Sequence, residues 1–390
     1  MLVTKPPMGW NTWNTFGLDI NEELVKRAAD TLVEKGLNKL GYEYIVIDDC
    51  WQTGERDENG RLVANAEKFP NGIKAVADYI HSLGLKFGIY SCAGTLTCER
   101  YPGSFEYEFI DAQTFAEWGV DFLKYDYCYK PEHTDGATLY RRMGTALANC
   151  GRDILFSACS WGADLTHEWI RTTGASMWRS TGDIKDNWQS INSIINQQID
   201  EGDSYQTHGN GIFPYGGVGC FNDMDMLVVG MKGKGLVGLG GCTSEEYKTH
   251  FSVWAMLSSP LMIGCDLNAI DQDALDILSN REVIAVNQDE RSAQAYLSFS
   301  VDSALPVFIR LLDNGDLAVL MLNNTDHWAR ARFSGESVGL SRITQTKLVA
   351  RDLWTGEEFE IKNRVLLQPL NAHECRFLRV KVVKTDEKLR

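Results

Sequence analysis

The stretch FLKYDYCY at residues 122–129 is the part of the sequence from which the fold can be worked out. Its first four residues are apolar or aromatic except for Lys124, which is typical of a buried strand. Asp126 follows directly, before two tyrosines and a cysteine. Parallel α/β proteins place their chemistry where strands end, so a carboxylate here indicates a functional site. An aspartate in this position can equally cap the next helix. The residues at the other strand ends are needed to choose between a functional carboxylate and a helix cap.

Strand and helix patterns alternate through the first three quarters of the chain. After an opening strand near Trp10, buried apolar runs predict strands at 44–47, 85–91, 122–125, 154–157, 177–180, 222–226 with 236–239, and 261–266. Helical periods separate them at 22–40, 70–82, 111–118, 134–150, 165–172, 186–200, 244–258 and 271–279. About eight such units in about 285 residues predict a (β/α)₈ TIM barrel. A doubly wound open sheet is the alternative that this pattern leaves.

The sequence changes character near residue 296. Short alternating runs at 307–311 and 317–322 are separated by turn signals such as Asp313-Asn314-Gly315. A period of two residues with frequent turns is typical of antiparallel strands. We therefore predict a catalytic barrel over residues 1–296 and a smaller antiparallel β-domain over residues 297–390.

Composition excludes some partners. A net charge of −15 argues against a nucleic-acid backbone or an anionic membrane as partner, and no apolar run is long enough to cross a bilayer. No signal-peptide pattern precedes Pro6, and the ten cysteines contain no C-x-x-C pair. These features predict a cytoplasmic protein, although a secreted chain whose leader had been removed would look the same. A homo-oligomer is compatible with the sequence.

Polar and aromatic side chains follow the predicted strands, and in a barrel all of these positions open on one face. The cluster contains five carboxylates, one lysine, one arginine, a serine and two aromatic residues: Trp10, Asp48, Asp49, Tyr90, Lys124, Asp126, Ser160, Arg179, Asp183 and Asp225. Carboxylates alone can bind a divalent metal. However, the cluster contains no histidine, and a lysine and an arginine fit poorly beside a cation. Zinc is therefore not expected, and a divalent-metal site is the less favoured of the two interpretations.

Glycoside hydrolysis fits the cluster better, because it needs two carboxyl groups with different roles. Lys124 lies two residues before Asp126, on the same side of the strand, and helps to keep it ionised. A second carboxyl group must hold a proton and deliver it to the leaving oxygen. Two alternatives remain, a metal-dependent barrel hydrolase and a barrel that binds sugar without catalysis. Activity in a chelator tests the first, and the presence of both Asp126 and Asp183 argues against the second.

The chain resembles glycoside hydrolase family 27, the α-galactosidase and α-N-acetylgalactosaminidase family, along nearly its whole length. The matching blocks are PPMGWNTWN at 6–14, DDCW at 48–51, GIY at 88–90, PGSF at 102–105, DAQTFAEWGVDFLKYDYC at 111–128, WRSTGDI at 178–184, NDMDML at 222–227 and NQD at 287–289. The resemblance implies a (β/α)₈ barrel followed by a C-terminal β-sandwich. It also implies a retaining exo-glycosidase for terminal non-reducing α-linked galactose-configured sugars of oligosaccharides or glycoconjugates, without cofactor or metal.

The resemblance also implies roles for individual residues. Asp126 would be the nucleophile and Asp183 the acid/base, and Cys98 and Cys128 would form a disulfide beside the nucleophile. The implied sugar contacts are Asp48 and Asp49 at O4 and O6, Lys124 at O3 and O4, Arg179 at O2 and O3, Trp10 on the ring, and Tyr90, Asp225 and Met226 along the pocket.

The sugar itself stays open between two possibilities. α-Galactosidases of the family carry C-E-W, whose glutamate contacts the 2-hydroxyl group, whereas this chain has Ser160 after Cys159. Ser160 with Ala163 resembles the N-acetylgalactosaminidase branch, since two smaller side chains leave room for a 2-acetamido group. Ser160 would then bind its carbonyl oxygen and Ala163 its methyl group. A plain α-galactosidase with a different contact to the 2-hydroxyl group is the equal alternative.

Overall fold

The computed structural model describes residues 3–199, 211–298, 304–340 and 346–384. Eight parallel strands form the first sheet, in the order β7-β6-β5-β4-β3-β2-β1-β8. They are β1 Met8–Asn11, β2 Tyr44–Val46, β3 Lys86–Cys92, β4 Phe122–Asp126, β5 Leu155–Cys159, β6 Met177–Arg179, β7 Phe221–Asp223 and β8 Leu261–Ile263. A doubly wound sheet reverses its strand order at a switch point, whereas this order runs in sequence and returns from β1 to β8. The predicted barrel is therefore confirmed.

The barrel closes through the segment that follows β7. After β7 the chain bends at Asp225, which has a left-handed φ of 78°. Leu227 then forms a parallel bridge with Ile263, in which Leu227 N–H donates to the Met262 carbonyl at 2.7 Å and Gly264 N–H donates to the Leu227 carbonyl at 2.9 Å. A residue with positive φ is uncommon outside glycine, so Asp225 marks a bend that the surrounding structure holds in place.

The α-helices lie between the strands and follow the predicted alternation. They are α1 Trp13–Phe16, α2 Glu22–Glu34, α3 Gly72–Ser82, α4 Glu108–Glu117, α5 Gly136–Ala148, α6 Thr166–Trp169, α7 Trp188–Ile199, α8 Ser244–Met256, α9 Gln272–Leu278 and α10 Arg281–Asn287. Asn21 caps α2, because its Oδ1 accepts the Leu24 N–H at 2.8 Å. The predicted helix over 22–40 is too long, since Gly36 adopts a left-handed φ of 73° and ends the helix before a short 3₁₀ turn at Leu37–Leu40.

The predicted strand at 236–239 is wrong. Only Gly238 takes part in an isolated bridge there, with Asp186. Gly233 and Gly235 have φ values of 75° and 80°, and these left-handed turns fold the segment into a loop. The loop packs against the start of the chain, where the Val237 N–H donates to the Asn14 carbonyl at 3.1 Å.

Alternation along β4 decides which side chains face the barrel interior. Leu123 and Tyr125 belong to the core between sheet and helices, whereas Phe122 packs inside the barrel with Val46, Leu155 and other residues. Successive side chains of a strand point to opposite faces, so Lys124 and Asp126 share the inner face with Phe122. Asp126, the last residue of β4, therefore lies at the open carboxyl end of the barrel.

The second domain is antiparallel, as predicted. Its large sheet has the order β14-β13-β16-β11-β10-β9, and β12 pairs with β15 in a separate ribbon. The strands are β9 Tyr296–Leu297, β10 Val307–Leu311, β11 Leu317–Leu322, β12 Ala329–Ser334, β13 Thr346–Asp352, β14 Glu358–Ile361, β15 Val365–Leu370 and β16 Cys375–Lys384. Phe333 of β12 packs into one core with Ile309, Val319 and Leu348 of the large sheet. The boundary at residue 296 stays a prediction.

The described residues contain no helix that combines the length and the apolar character required to cross a membrane.

Candidate active site

A cavity opens at the carboxyl ends of the barrel strands. The lining is unusually rich in carboxylates and also holds two cations and three aromatic rings: Trp13, Asn14, Asp48, Asp49, Tyr90, Cys98, Lys124, Asp126, Cys159, Trp161, Arg179, Asp183, Asp225, Met226 and Val237.

Asp126 is buried beside Tyr90. Its Oδ2 accepts the Tyr90 hydroxyl proton at 2.9 Å, and its Oδ1 accepts the Tyr127 N–H at 2.9 Å. Burial raises the pKa of Asp126 above its ordinary value, although the charge of Lys124 and the Tyr90 hydrogen bond act in the opposite direction. Two donors fix the orientation of this carboxylate, which suits a group that must meet one atom of a substrate.

Lys124 and two carboxylates form one side of the cavity. Lys124 Nζ donates to Asp48 Oδ2 at 2.8 Å, and Asn11 Nδ2 donates to the same oxygen at 2.8 Å. The Asp49 oxygens accept the N–H groups of Cys50 and Glu99, at 2.7 and 3.0 Å. Burial raises the pKa of Asp49 to about 6. Carboxylates held in this way can accept hydrogen bonds from sugar hydroxyl groups.

The pKa of Asp49 predicts a pH dependence of substrate binding. As the pH falls through about 6, Asp49 gains a proton and loses part of its capacity to accept hydroxyl hydrogen bonds. We expect KM for an α-galactoside to rise by about tenfold across this range, because a hydrogen bond to a charged group contributes ~1.5 kcal/mol or more. In the Asp49→Asn variant KM should be high at every pH. A wild-type KM that stays constant across the same range would contradict the prediction.

Arg179 joins two carboxylates on the opposite side of the cavity. Its Nη2 donates to Asp183 Oδ1 at 2.9 Å and lies 3.1 Å from Asp225 Oδ2. Burial alone would raise the pKa of Asp183, but the charge and hydrogen bond of Arg179 outweigh burial and hold that pKa below its ordinary value. Burial raises the pKa of Asp225 despite the same arginine. Both carboxylates thus compete for one guanidinium group.

Asp126 and Asp183 differ in their surroundings. Asp126 is buried, whereas the Asp183 side chain is 59% exposed at the opening of the cavity. A buried inner carboxylate and a more exposed outer one suit the two roles of glycoside hydrolysis, attack at carbon and proton transfer to the departing oxygen. Proton donation requires that Arg179 release Asp183, because the hydrogen bond and charge of Arg179 favour its ionised form.

Trp10 does not line the cavity, contrary to the prediction that it packs on a sugar. Its side chain is completely buried, and its indole N–H donates to the Cys265 carbonyl at 2.8 Å. Alternation along β1 turns Trp10 outward to the helices and Asn11 inward. Trp13, three residues later, lines the cavity instead.

Ser160 and Ala163 also lie outside the cavity, so the structure does not support the predicted contacts with a 2-acetamido group. The Ser160 hydroxyl is buried 2.6 Å from the Thr166 hydroxyl. Ala163 begins a 3₁₀ turn and packs against the core. Cys159 and Trp161, on either side of Ser160, line the cavity in its place.

The cavity contains residues that the sequence did not identify: Trp13, Asn14, Cys159, Trp161 and Val237. Strand alternation was a usable signal for Cys159, which shares the inner face of β5 with Ser157. Trp161 lies in the turn after β5, where this alternation no longer applies. The residues around Val237 in the sequence gave no indication of a site residue. Its loop is held at the cavity by contacts with a distant part of the chain.

Cys98 and Cys128 form a disulfide with a Cα–Cα distance of 5.2 Å. It joins the loops after β3 and β4, next to the end of the strand that carries Asp126. Among the described residues, Cys98, Asp126 and Cys128 are the one group of ligand-type side chains close enough together for a metal ion. Their two sulfurs are bonded to each other and so offer no thiolate ligand. The absence of a metal stays a prediction.

Comparisons with known proteins agree with this geometry. Residues 5–289 match the family profile described as alpha galactosidase A, and residues 302–380 match the alpha galactosidase C-terminal beta sandwich domain. An α-galactosidase of Cyamopsis tetragonoloba is 44% identical over 379 residues, which are 96% of this chain and 86% of that protein.

Solved structures give the same result. α-Galactosidase I from Mortierella vinacea superimposes with a TM-score of 0.87 at 36% identity, covering 98% of both chains. The α-galactosidase of Saccharomyces cerevisiae with raffinose superimposes with a TM-score of 0.81 at 31% identity, covering 97% of this chain and 98% of that one. The chain therefore belongs to glycoside hydrolase family 27 and is a glycoside hydrolase of the α-galactosidase type.

Proposed function

We propose that the chain removes terminal α-linked galactose from oligosaccharides by a retaining mechanism, with Asp126 as nucleophile and Asp183 as acid/base. The observation that carries this assignment is the pair of carboxylates on β4 and after β6, both facing a cavity rich in hydrogen-bond acceptors. Raffinose-type sugars are the substrate class that we infer, since the Saccharomyces cerevisiae relative was crystallised with raffinose.

In the first step Asp126 attacks C1 of galactose while Asp183 gives its proton to the glycosidic oxygen. The bond between C1 and that oxygen breaks, and the alcohol leaves. In the second step Asp183 takes a proton from water, the water oxygen bonds to C1, and Asp126 departs as a carboxylate. Lys124 stabilises the ionised form of Asp126 before the first step and after the second, which balances part of the cost of its burial.

Among galactose-configured sugars we infer a preference for galactose over N-acetylgalactosamine. Trp161 lines the cavity beside Cys159, and Cys159 Sγ lies 3.7 Å from Arg179 Nη1. Arg179 is the group expected at the 2- and 3-hydroxyls, and Trp161 lines the same cavity, so we infer that the indole limits the space for a 2-acetamido group. The backbone of Trp161 has a left-handed φ of 57°, a conformation that costs strain in a residue other than glycine.

Initial rates on p-nitrophenyl α-galactopyranoside and on its 2-acetamido counterpart test this preference. We expect the plain galactoside to be favoured in kcat/KM by at least about tenfold, because steric exclusion in a pocket reaches that size. Trp161→Ala should reduce the ratio by opening space, whereas Trp328→Ala, which alters an exposed ring of the second domain, should leave it unchanged. Faster hydrolysis of the acetamido sugar by the wild type would overturn the inference.

A further inference from the structure

A second cavity lies inside the barrel, next to the cavity that contains Asp126 and Asp183. Lys124, Arg179 and Asp225 line both cavities, whereas Asp223 and Ser157 line the inner one alone. Asp223 is 7% exposed, and burial raises its pKa to about 6 against the opposing charge of Arg179. The mechanism described above gives this buried carboxylate no role, although burial of an ionisable group is costly.

Asp223 is connected to both Arg179 and Asp225, the two residues that lie beside the proposed acid/base Asp183. In the register of β6 and β7, Asp223 is the partner of Arg179, so the two side chains share the inner face of the barrel. Asp223 Oδ1 also accepts the Asp225 N–H at 2.9 Å. This hydrogen bond supports the left-handed backbone of Asp225, which places Asp225 Oδ2 3.1 Å from Arg179 Nη2.

Arg179 is one cation among three carboxylates. It contacts Asp183 and Asp225 directly through Nη2, and its buried Nε has no hydrogen-bond partner in the part of the chain that the structure describes. The negative charges of Asp223 and Asp225 offset the charge of Arg179. The more completely they do so, the less strongly Arg179 holds Asp183 in its ionised form.

We propose that Asp223 is a positioning residue for proton transfer by Asp183 and that it acts through Asp225 and Arg179. It fixes Asp225 as the second carboxylate on the guanidinium group and adds its own charge, so that Arg179 can release Asp183 to a substrate. The inference rests on the proposed acid/base role of Asp183. The other charged or titratable groups around Asp183 are Lys124 of β4, Lys185 of the following loop and the Cys159 thiol of β5.

The Asp223→Asn variant removes the charge of the side chain but keeps its hydrogen bond, because the amide oxygen can still accept the Asp225 N–H. Above a pH of about 6, where Asp223 is ionised, the variant has one negative charge fewer. Arg179 then stabilises ionised Asp183 more strongly, so the pKa of Asp183 falls and fewer molecules carry the catalytic proton. A sugar alcohol needs that proton to leave, whereas a dinitrophenolate departs without it. The preference for the activated aryl substrate should therefore rise about three- to tenfold, a full pKa unit corresponding to about tenfold.

The experiment compares kcat/KM for melibiose and for 2,4-dinitrophenyl α-galactoside between pH 4 and pH 7. The variants are Asp223→Asn, Asp223→Ala and Asp225→Asn, with Asp78→Asn on the outer face of α3 as a matched charge control. We expect Asp223→Asn and Asp225→Asn to raise the aryl-to-melibiose ratio at pH 7, where Asp223 is ionised, Asp223→Ala also to slow both substrates, and Asp78→Asn to change neither.

An unchanged ratio in Asp223→Asn, including equal losses on both substrates, would overturn the proposal and leave Asp223 with a structural role alone. If only Asp225→Asn folds, its ratio decides. Asp183→Ala, measured in parallel, tests the proposed function separately. An unchanged ratio in Asp183→Ala would show that Asp183 is not the acid, whereas a large rise there with no rise in Asp223→Asn would refute only the role of Asp223.

Discussion

Replacing Asp126 by alanine is expected to lower kcat/KM for p-nitrophenyl α-galactoside by at least about 10⁴-fold, since removal of a nucleophile costs an enzyme factors of this size. The fold should persist, because Lys124 keeps its hydrogen bond to Asp48 at 2.8 Å and is not left as an unpaired buried charge. Initial rates together with circular dichroism measure both parts of the prediction.

Azide provides the decisive control for Asp126→Ala. A small anion that enters the space left by the carboxylate attacks C1 from the same side as Asp126 and yields β-galactosyl azide, of inverted configuration. Rescue with this product assigns Asp126 as the nucleophile. A variant that hydrolyses the substrate at the wild-type rate without azide would show that another group attacks the sugar.

Asp183→Ala should have the second largest effect, and its size should depend on the leaving group. We expect melibiose hydrolysis to fall by about 10² to 10⁴-fold, the usual contribution of general acid–base catalysis. The kcat/KM for 2,4-dinitrophenyl α-galactoside should fall much less, because its leaving group needs no proton. The galactosyl-enzyme should then accumulate, since no base activates water for the second step.

Azide acts differently on Asp183→Ala, and the product reveals the difference. It attacks the galactosyl-enzyme on the open face and gives α-galactosyl azide, of retained configuration. Opposite anomers from the two variants would thus assign the two carboxylates within one chain. Equal losses on both substrates, with no effect of azide, would contradict the acid/base role of Asp183.

The barrel and its carboxylates could be predicted from the sequence because both depend on local patterns. Alternating strand and helix periods indicated a parallel α/β fold of about eight units, and Asp48, Asp126 and Asp183 each follow a recognisable strand. Whether a strand residue faces the cavity depends on its place in the alternation of the strand. A shift of one residue moves each side chain to the opposite face of the sheet. Trp10 faces outward from β1, while Asn11 of β1 and Cys159 of β5 face inward. Ser160 and Trp161 lie beyond the end of β5, where its alternation no longer places them.

Other parts of the site depend on contacts between distant segments. Val237 reaches the cavity because its loop is anchored to the Asn14 carbonyl, more than 200 positions earlier in the chain. The left-handed backbone of Asp225 depends on a hydrogen bond to Asp223 and on closure against β8. Residue order alone does not reveal such tertiary constraints, so the role of Asp223 emerged only from the structure.

The bend at Asp225 has a consequence for the evolution and redesign of this enzyme. The same few residues close the barrel through Leu227 and deliver a carboxylate to Arg179. The closure of the barrel and the placement of the Asp225 carboxylate therefore depend on the same segment. A substitution there affects both. We expect changes that adapt the enzyme to new galactosides to be tolerated best in the loops after the other strands, such as the one carrying Trp161, where they leave the closure of the barrel intact.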